Sequence, residues 1–207
     1  MHNCLVGSEM CIRDRSSNIP YDDEHSLIDL LSESTILENR FNFIYYPQID
    51  IAAHVFGVNS EEWQLEIDKF EKLVDKIANI SNKKTKTIIS ADHGLMNINE
   101  ECRHNLNYDD DIQIYGDQRS VYINGSKASV LETFSEVPGV LLEQHELSYL
   151  LGRPTNEFLK SIYPDYCFLV EDENIIYPKH LSAKLKGYHG GLSREELQIP
   201  IIELSNF

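Results

Sequence analysis

Apolar residues recur at helical spacing in two stretches of the first eighty positions. In "DDEHSLIDLLSES" (22–34), Leu27, Leu30 and Leu31 follow an acidic opening, which predicts a short amphipathic helix. From Asn59 to about Asn79, the residues Trp63, Ile67, Phe70, Val74 and Ile77 keep one side apolar, with Asn59 as the expected cap and Glu62 three residues on. Runs of β-formers flank that helix. "FNFIYY" (41–46) predicts a buried strand stopped by Pro47, "PQIDIAAHVFGVN" reads as its exit and a loop, and "TIISA" (87–91) predicts a second strand. A strand, helix, strand unit favours parallel pairing in a sheet covered by helices.

The alternation continues less regularly. "RSVYING", "GVLLEQ", "YCFLVED" and "LQIPIIEL" read as strands, and helices are expected at about 126–134, 145–151 and 155–162. The acidic "YDDDIQIYGD" (108–117) reads as a solvated loop.

A chain of 207 residues that is 42% hydrophobic and 25% charged can build one sizeable globular core. Its formal net charge of −16 speaks against a nucleic-acid polymer as partner, because such binding runs on clustered Lys and Arg. A phosphate substrate would need positive charge supplied locally, which bound metal ions can provide. No stretch reaches the roughly 18 to 20 apolar residues of a membrane helix, so no membrane span is expected. The segment "LVGSEMCIRDR" (5–15) has no hydrophobic period and looks like an in-frame translation of a transposase-type sequencing adapter. Residues 1–15 are therefore expected to be non-native, leaving 16–207 for fold reasoning. Setting Cys4 and Cys11 aside with that segment leaves Cys102 and Cys167, which carry no metal-type spacing.

Candidate chemistry gathers at three places. In open α/β sheets, sites form beyond the carboxyl ends of the strands. Asp92 and His93 end one predicted strand, and Asp50 follows its predicted neighbour. Asp50 and His54 are four apart, so one helical turn would aim carboxylate and imidazole the same way, as in chelating pairs. Gly94 lets the backbone turn after the Asp-His pair. His189 precedes two glycines in "YHGGLSREELQIPII" (188–202). Singly each is weak: a polar strand exit explains Asp92 and His93, and a loop acid with a surface histidine explains Asp50 and His54.

Taken together, "YYPQIDIAAHVFG", "IISADHG" and "HGGLSREELQIPII" resemble the alkaline phosphatase superfamily, most closely its type I phosphodiesterase/nucleotide pyrophosphatase branch, over about residues 36–205. The resemblance implies an α/β fold, a three-layer α/β/α sandwich with a mostly parallel sheet, of which this chain is the C-terminal portion. It implies hydrolysis of phosphodiester or pyrophosphate bonds in a small-molecule phosphodiester or nucleotide-type substrate, with nucleotide, sugar nucleotide, phospholipid head group and simple diester all left open. It also implies two divalent metal ions, zinc in this branch, with Asp50, His54 and His189 on one and Asp92 and His93 on the other. Zinc takes carboxylate oxygen and imidazole nitrogen, and paired ions can hold both the attacking and the leaving oxygen of a phosphoryl displacement.

Relatives attack with a Thr or Ser whose helix lies upstream of the first motif, together with a further metal-binding aspartate. No segment before Phe41 has the matching strand and helix start. The expectation is that both were lost with a missing N-terminal portion and that this chain alone is inactive or nearly so. Two other readings are a phosphomutase of the same superfamily, which shares "ADHG" and Asp-x-x-x-His, and a non-catalytic metal-binding module. The ending "HGGLSREELQIPII" separates the first, and metal content separates the second.

His25, His104, His145 and His180 match no motif and read as solvated or structural. Arg119 reads as a solvated arginine. The run Phe41, Phe43, Tyr45 and Tyr46 reads as core and strand surface rather than a base-stacking platform, and Tyr188, beside His189, could touch substrate, although that is the less favoured reading. Ser193 and Glu196 read as the cap pair of a helical turn.

Overall fold

The computed structural model describes residues 19–21, 23–35, 41–81, 85–179 and 185–204. The adapter-like segment and His180 lie outside the described residues. In chain order the helices are α1 (Glu24–Thr35), α2 (Gln48–Phe56), α3 (Glu61–Ile80), α4 (Lys127–Thr133), α5 (Gln144–Leu150), α6 (Glu157–Ile162) and α7 (Arg194–Leu197). The strands are β1 (Thr87–Ser90), β2 (Met96–Asn97), β3 (Arg103–Asn105), β4 (Gln113–Gly116), β5 (Ser120–Asn124), β6 (Gly139–Glu143), β7 (Tyr166–Val170), β8 (Ile175–Tyr177), β9 (Gly187–Tyr188) and β10 (Ile201–Leu204).

The described residues divide into two compact units, one drawn from those between 19 and 43, between 71 and 87 and Leu204, the other from residues 44–70 and those between 88 and 203. In the first, Leu27 of α1 and Leu73 of α3 are buried, and Lys76 Nζ donates to Glu24 Oε1 at 2.7 Å. The start of α3 differs from expectation by one residue. Ser60 Oγ, not Asn59, accepts from the Trp63 N–H (3.1 Å), while Asn59 takes φ 66°, a left-handed turn that Asn tolerates.

The second unit is built on a four-stranded antiparallel sheet of order β4-β5-β7-β6. α4 lies against it, started by Ser126 Oγ, which accepts from the Ser129 N–H at 3.2 Å. Val130 and Phe134 join Val121, Ile123, Phe168 and Val170 in one core, with the Phe134 and Phe168 rings 4.6 Å apart. A second cluster joins Ile98, Ile175, Tyr177 and Tyr188.

The expected mostly parallel sheet is met only in part. β3 and β8 run parallel, with Arg103 opposite Ile175, while β2 and β9 are antiparallel, as is every pairing of the large sheet. A three-residue connection joins β4 to β5, and so short a link admits only antiparallel neighbours. The supposed solvated loop 108–117 is thus strand from Gln113 on. Two further expectations fail. Residues 41–46 form no strand: Phe41 and Phe43 are 89% and 71% exposed, so the run has no half-buried pleated surface to fit. The segment after Pro47 is helix α2 rather than a loop.

Candidate functional site

α2 is bounded by Pro47 at its cap and by Gly57 (φ 95°) after Phe56, the usual asymmetry of helix ends. Ala52 and Ala53 turn inward and are buried, leaving Asp50 and His54 half-buried one turn apart. Asp50 Oδ1 lies 3.5 Å from His54 Nε2. That oxygen is buried and has no hydrogen-bond partner. His54 Nδ1 donates to the Gly187 carbonyl at 2.8 Å, an arrangement that in the neutral ring leaves the Nε2 lone pair on the side of Asp50. The Lys186 N–H in turn donates to the His54 carbonyl (2.8 Å). A Cβ on Gly187 would stand 2.4 Å from the Ala53 carbonyl oxygen, so this approach of β9 to α2 requires glycine.

Asp92 and His93 follow β1. His93 Nδ1 donates to the Gly94 carbonyl at 3.1 Å, and the Asp92 side chain is 80% exposed with Oδ1 3.8 Å from His93 Nε2. Gly94 serves close contact rather than a left-handed turn. Its N–H donates to the Glu196 carbonyl (2.8 Å), and a Cβ would fall 2.0 Å from the Glu195 carbonyl oxygen.

His189 lies between the two motifs. Its ring stacks on His93 with centroids 3.7 Å apart and lies 5.2 Å from the His54 ring, tilted by 60°. Burial pushes the His189 pKa down; Asp117 opposes this, His93 and His54 reinforce it, and Asp50 opposes it. A neutral imidazole is the form that a metal ion binds. The structure therefore brings Asp50, His54, His93 and His189 together, with the Asp92 carboxylate at the surface beside them. Among the described residues no group of three or more His, Cys, Asp or Glu side chains is placed so that it could hold a metal ion.

Three acting residues escaped the sequence reading. Arg119, expected to be solvated, is 1% exposed. Its Nε and Nη2 donate to the two carboxylate oxygens of Glu196 (2.6 and 2.9 Å), and Nη1 donates to the carbonyls of Asp172 and Asn174. Burial alone would raise the Glu196 pKa, but hydrogen bonds from Arg119, Ser193 and the Gly191 N–H outweigh it and hold it below the usual carboxylate range. The expected Ser193 and Glu196 cap of α7 is present, and the same Glu196 thereby anchors the loop that carries His189. Asp117 is the third, with Oδ2 3.4 Å from His189 Nδ1. Tyr188 is buried and meets the Tyr177 hydroxyl, in keeping with a structural role.

The family model for type I phosphodiesterase / nucleotide pyrophosphatase matches residues 6–186, most of the chain. The chain belongs to that family. The matched span begins inside the adapter-like segment and ends just before β9 and His189. Solved structures with this fold include murine ectonucleotide pyrophosphatase / phosphodiesterase 5 (TM-score 0.71, 15% identity, covering 91% of this chain and 54% of that one). The human protein of the same name follows (0.66, 14%, 90% and 54%). Phosphonoacetate hydrolase from Sinorhizobium meliloti 1021, in complex with phosphonoacetate, is a more distant likeness (0.57, 12%, 75% and 44%). The fold is thus the mixed α/β, alkaline phosphatase-like one of these family neighbours. The chain spans about half the length of the structures it matches. No curated protein matches it by sequence.

Proposed function

We propose that this chain supplies the metal-holding residues of a hydrolase of phosphodiester or pyrophosphate bonds. One observation carries the reading: Asp50 Oδ1 is buried without a donor beside an imidazole whose free nitrogen faces it, a donor set that fits a divalent cation. Asp50, His54 and His189 would hold one zinc ion, and Asp92 and His93 would hold a second. When bound, such ions neutralise phosphate oxygens and activate the attacking group.

The chain's own residues do the positioning. The Gly187 carbonyl fixes His54 in the tautomer that presents Nε2. Burial favours the neutral form of His189. The Asp92 carboxylate is exposed, so its side of the cluster faces solvent.

The substrate is of nucleotide type. An inactive variant of murine ectonucleotide pyrophosphatase / phosphodiesterase 5 was solved in complex with AMP, and this chain shares that fold. The Thr or Ser nucleophile and a further aspartate are expected in sequence upstream of Asp50.

The test compares this chain with the protein extended upstream in its own reading frame, each with added zinc, on a bis-aryl phosphodiester. Hydrolysis by the extended protein alone, abolished by His54→Ala, is the expected result. Comparable turnover by both, or phosphate transfer between sugar positions without net hydrolysis, would contradict the reading.

A further inference from the structure

The Gly116–Arg119 segment joins β4 to β5, and it touches the His189 loop twice. Arg119 grips Glu196, which receives the Gly191 N–H (2.8 Å) and so fixes the backbone two residues after His189. Asp117 reaches the histidine itself, with Oδ2 3.4 Å from Nδ1. Gly190 makes that approach feasible: it adopts φ 101°, and a Cβ there would stand 2.6 Å from the Asp117 carboxyl carbon. The loop is therefore shaped to seat a carboxylate against one edge of the imidazole while its face stacks on His93.

We propose that Asp117 is a positioning residue for His189: it accepts the Nδ1 proton, selects the tautomer with Nε2 unprotonated, and turns that nitrogen towards a divalent cation. This deepens, and rests on, the metal-site reading above. Metal-binding histidines commonly donate their second ring N–H to a carboxylate or carbonyl, and loss of that partner costs roughly 10- to 100-fold in metal affinity. His54 already shows the carbonyl version through Gly187. Asp117 supplies the carboxylate version for His189.

The experiment uses the whole chain with Asp117→Ala and Asp117→Asn. The His189 tautomer is read from long-range proton-nitrogen spectra of the metal-free protein, with His189→Gln for assignment. Zinc affinity is read by chelator competition, and thermal unfolding without metal is followed in parallel. Asp117 is only partly buried, so both variants should fold with an unchanged midpoint. In Asp117→Ala the Nδ1–H tautomer should lose its dominance and zinc affinity should fall roughly 10- to 100-fold. Asp117→Asn should recover much of both, since an amide oxygen still accepts from Nδ1.

An unchanged tautomer in Asp117→Ala, or zinc affinity within about twofold of wild type, overturns the proposal; so does a fall in midpoint that accounts for the affinity loss in both variants. If the wild-type chain takes up no zinc, the metal reading fails by itself, and the tautomer spectra still decide whether Asp117 orients His189.

Discussion

A carboxylate oxygen buried without a donor costs the folded state about 1 to 3 kcal/mol, so Asp50 is a burden to the metal-free protein. Asp50→Ala should leave its urea midpoint unchanged or raised. A clear loss of stability would mean that Asp50 has a structural partner. Glu196 should behave in the opposite way. Glu196→Gln breaks a buried ion pair and should cost roughly 3 to 5 kcal/mol in urea unfolding. Because the folded pKa of Glu196 is depressed, its contribution is fully present above the unfolded carboxyl value of about 4.3 and is lost as pH falls through the lower folded value. Wild type and variant should therefore converge in stability only in acid; a constant gap down to low pH would contradict the assignment. Asp50, His54, Asp92, His93 and His189 could be named as candidates because each sits in a short local pattern. Arg119 and Glu196 could not, because a pair 77 residues apart leaves no period in the sequence, and a lone Arg in "GDQRSVY" is solvated in most settings.

Elements whose burial is one-sided were read well: α3 and α4 have stripes at helical spacing, and β5, β6 and β7 are compact β-rich runs. α2 was missed although its boundaries are marked, since Pro47 and Gly57 bracket "QIDIAAHVF" in the way helix ends are marked. Its nine residues show no clear stripe because both inward positions are alanine. The strands β2, β3, β8 and β9 have two or three residues each, too few for a pattern of period two. At this scale the contact of α2 with β9 holds His54. Gly187→Ala should push the two apart, remove the Nδ1 anchor and weaken zinc uptake, by roughly 10- to 100-fold if it acts as loss of a metal-histidine partner. Affinity equal to wild type would show that the anchor is dispensable. In the sheet core, Phe168→Ala removes a ring packed on Phe134 and should cost roughly 3 to 5 kcal/mol of unfolding free energy, read from denaturant melts. A loss below about 1 kcal/mol would mean that the cavity collapses.

Over the whole molecule, 34 acidic against 18 basic side chains repel a polyanion, yet the functional reading calls for an anionic phosphate. A cation held among Asp50, His54 and His189 reconciles the two, because it reverses the local sign in an acidic protein. Among the described residues no helix is long and apolar enough to cross a membrane. The chain spans about half the length of its structural relatives, and metal binding is the part of the reading that this chain tests by itself. The most direct measurement is a calorimetric zinc titration of the metal-free chain near neutral pH, beside its His54→Ala and His189→Ala variants. Tight uptake of about one equivalent at Asp50, His54 and His189 is expected of the wild type, since Asp92 and His93 alone offer a second ion only two ligands, and both variants should lose it; absence of uptake by the wild type, or uptake undiminished in both variants, would contradict the metal-site reading.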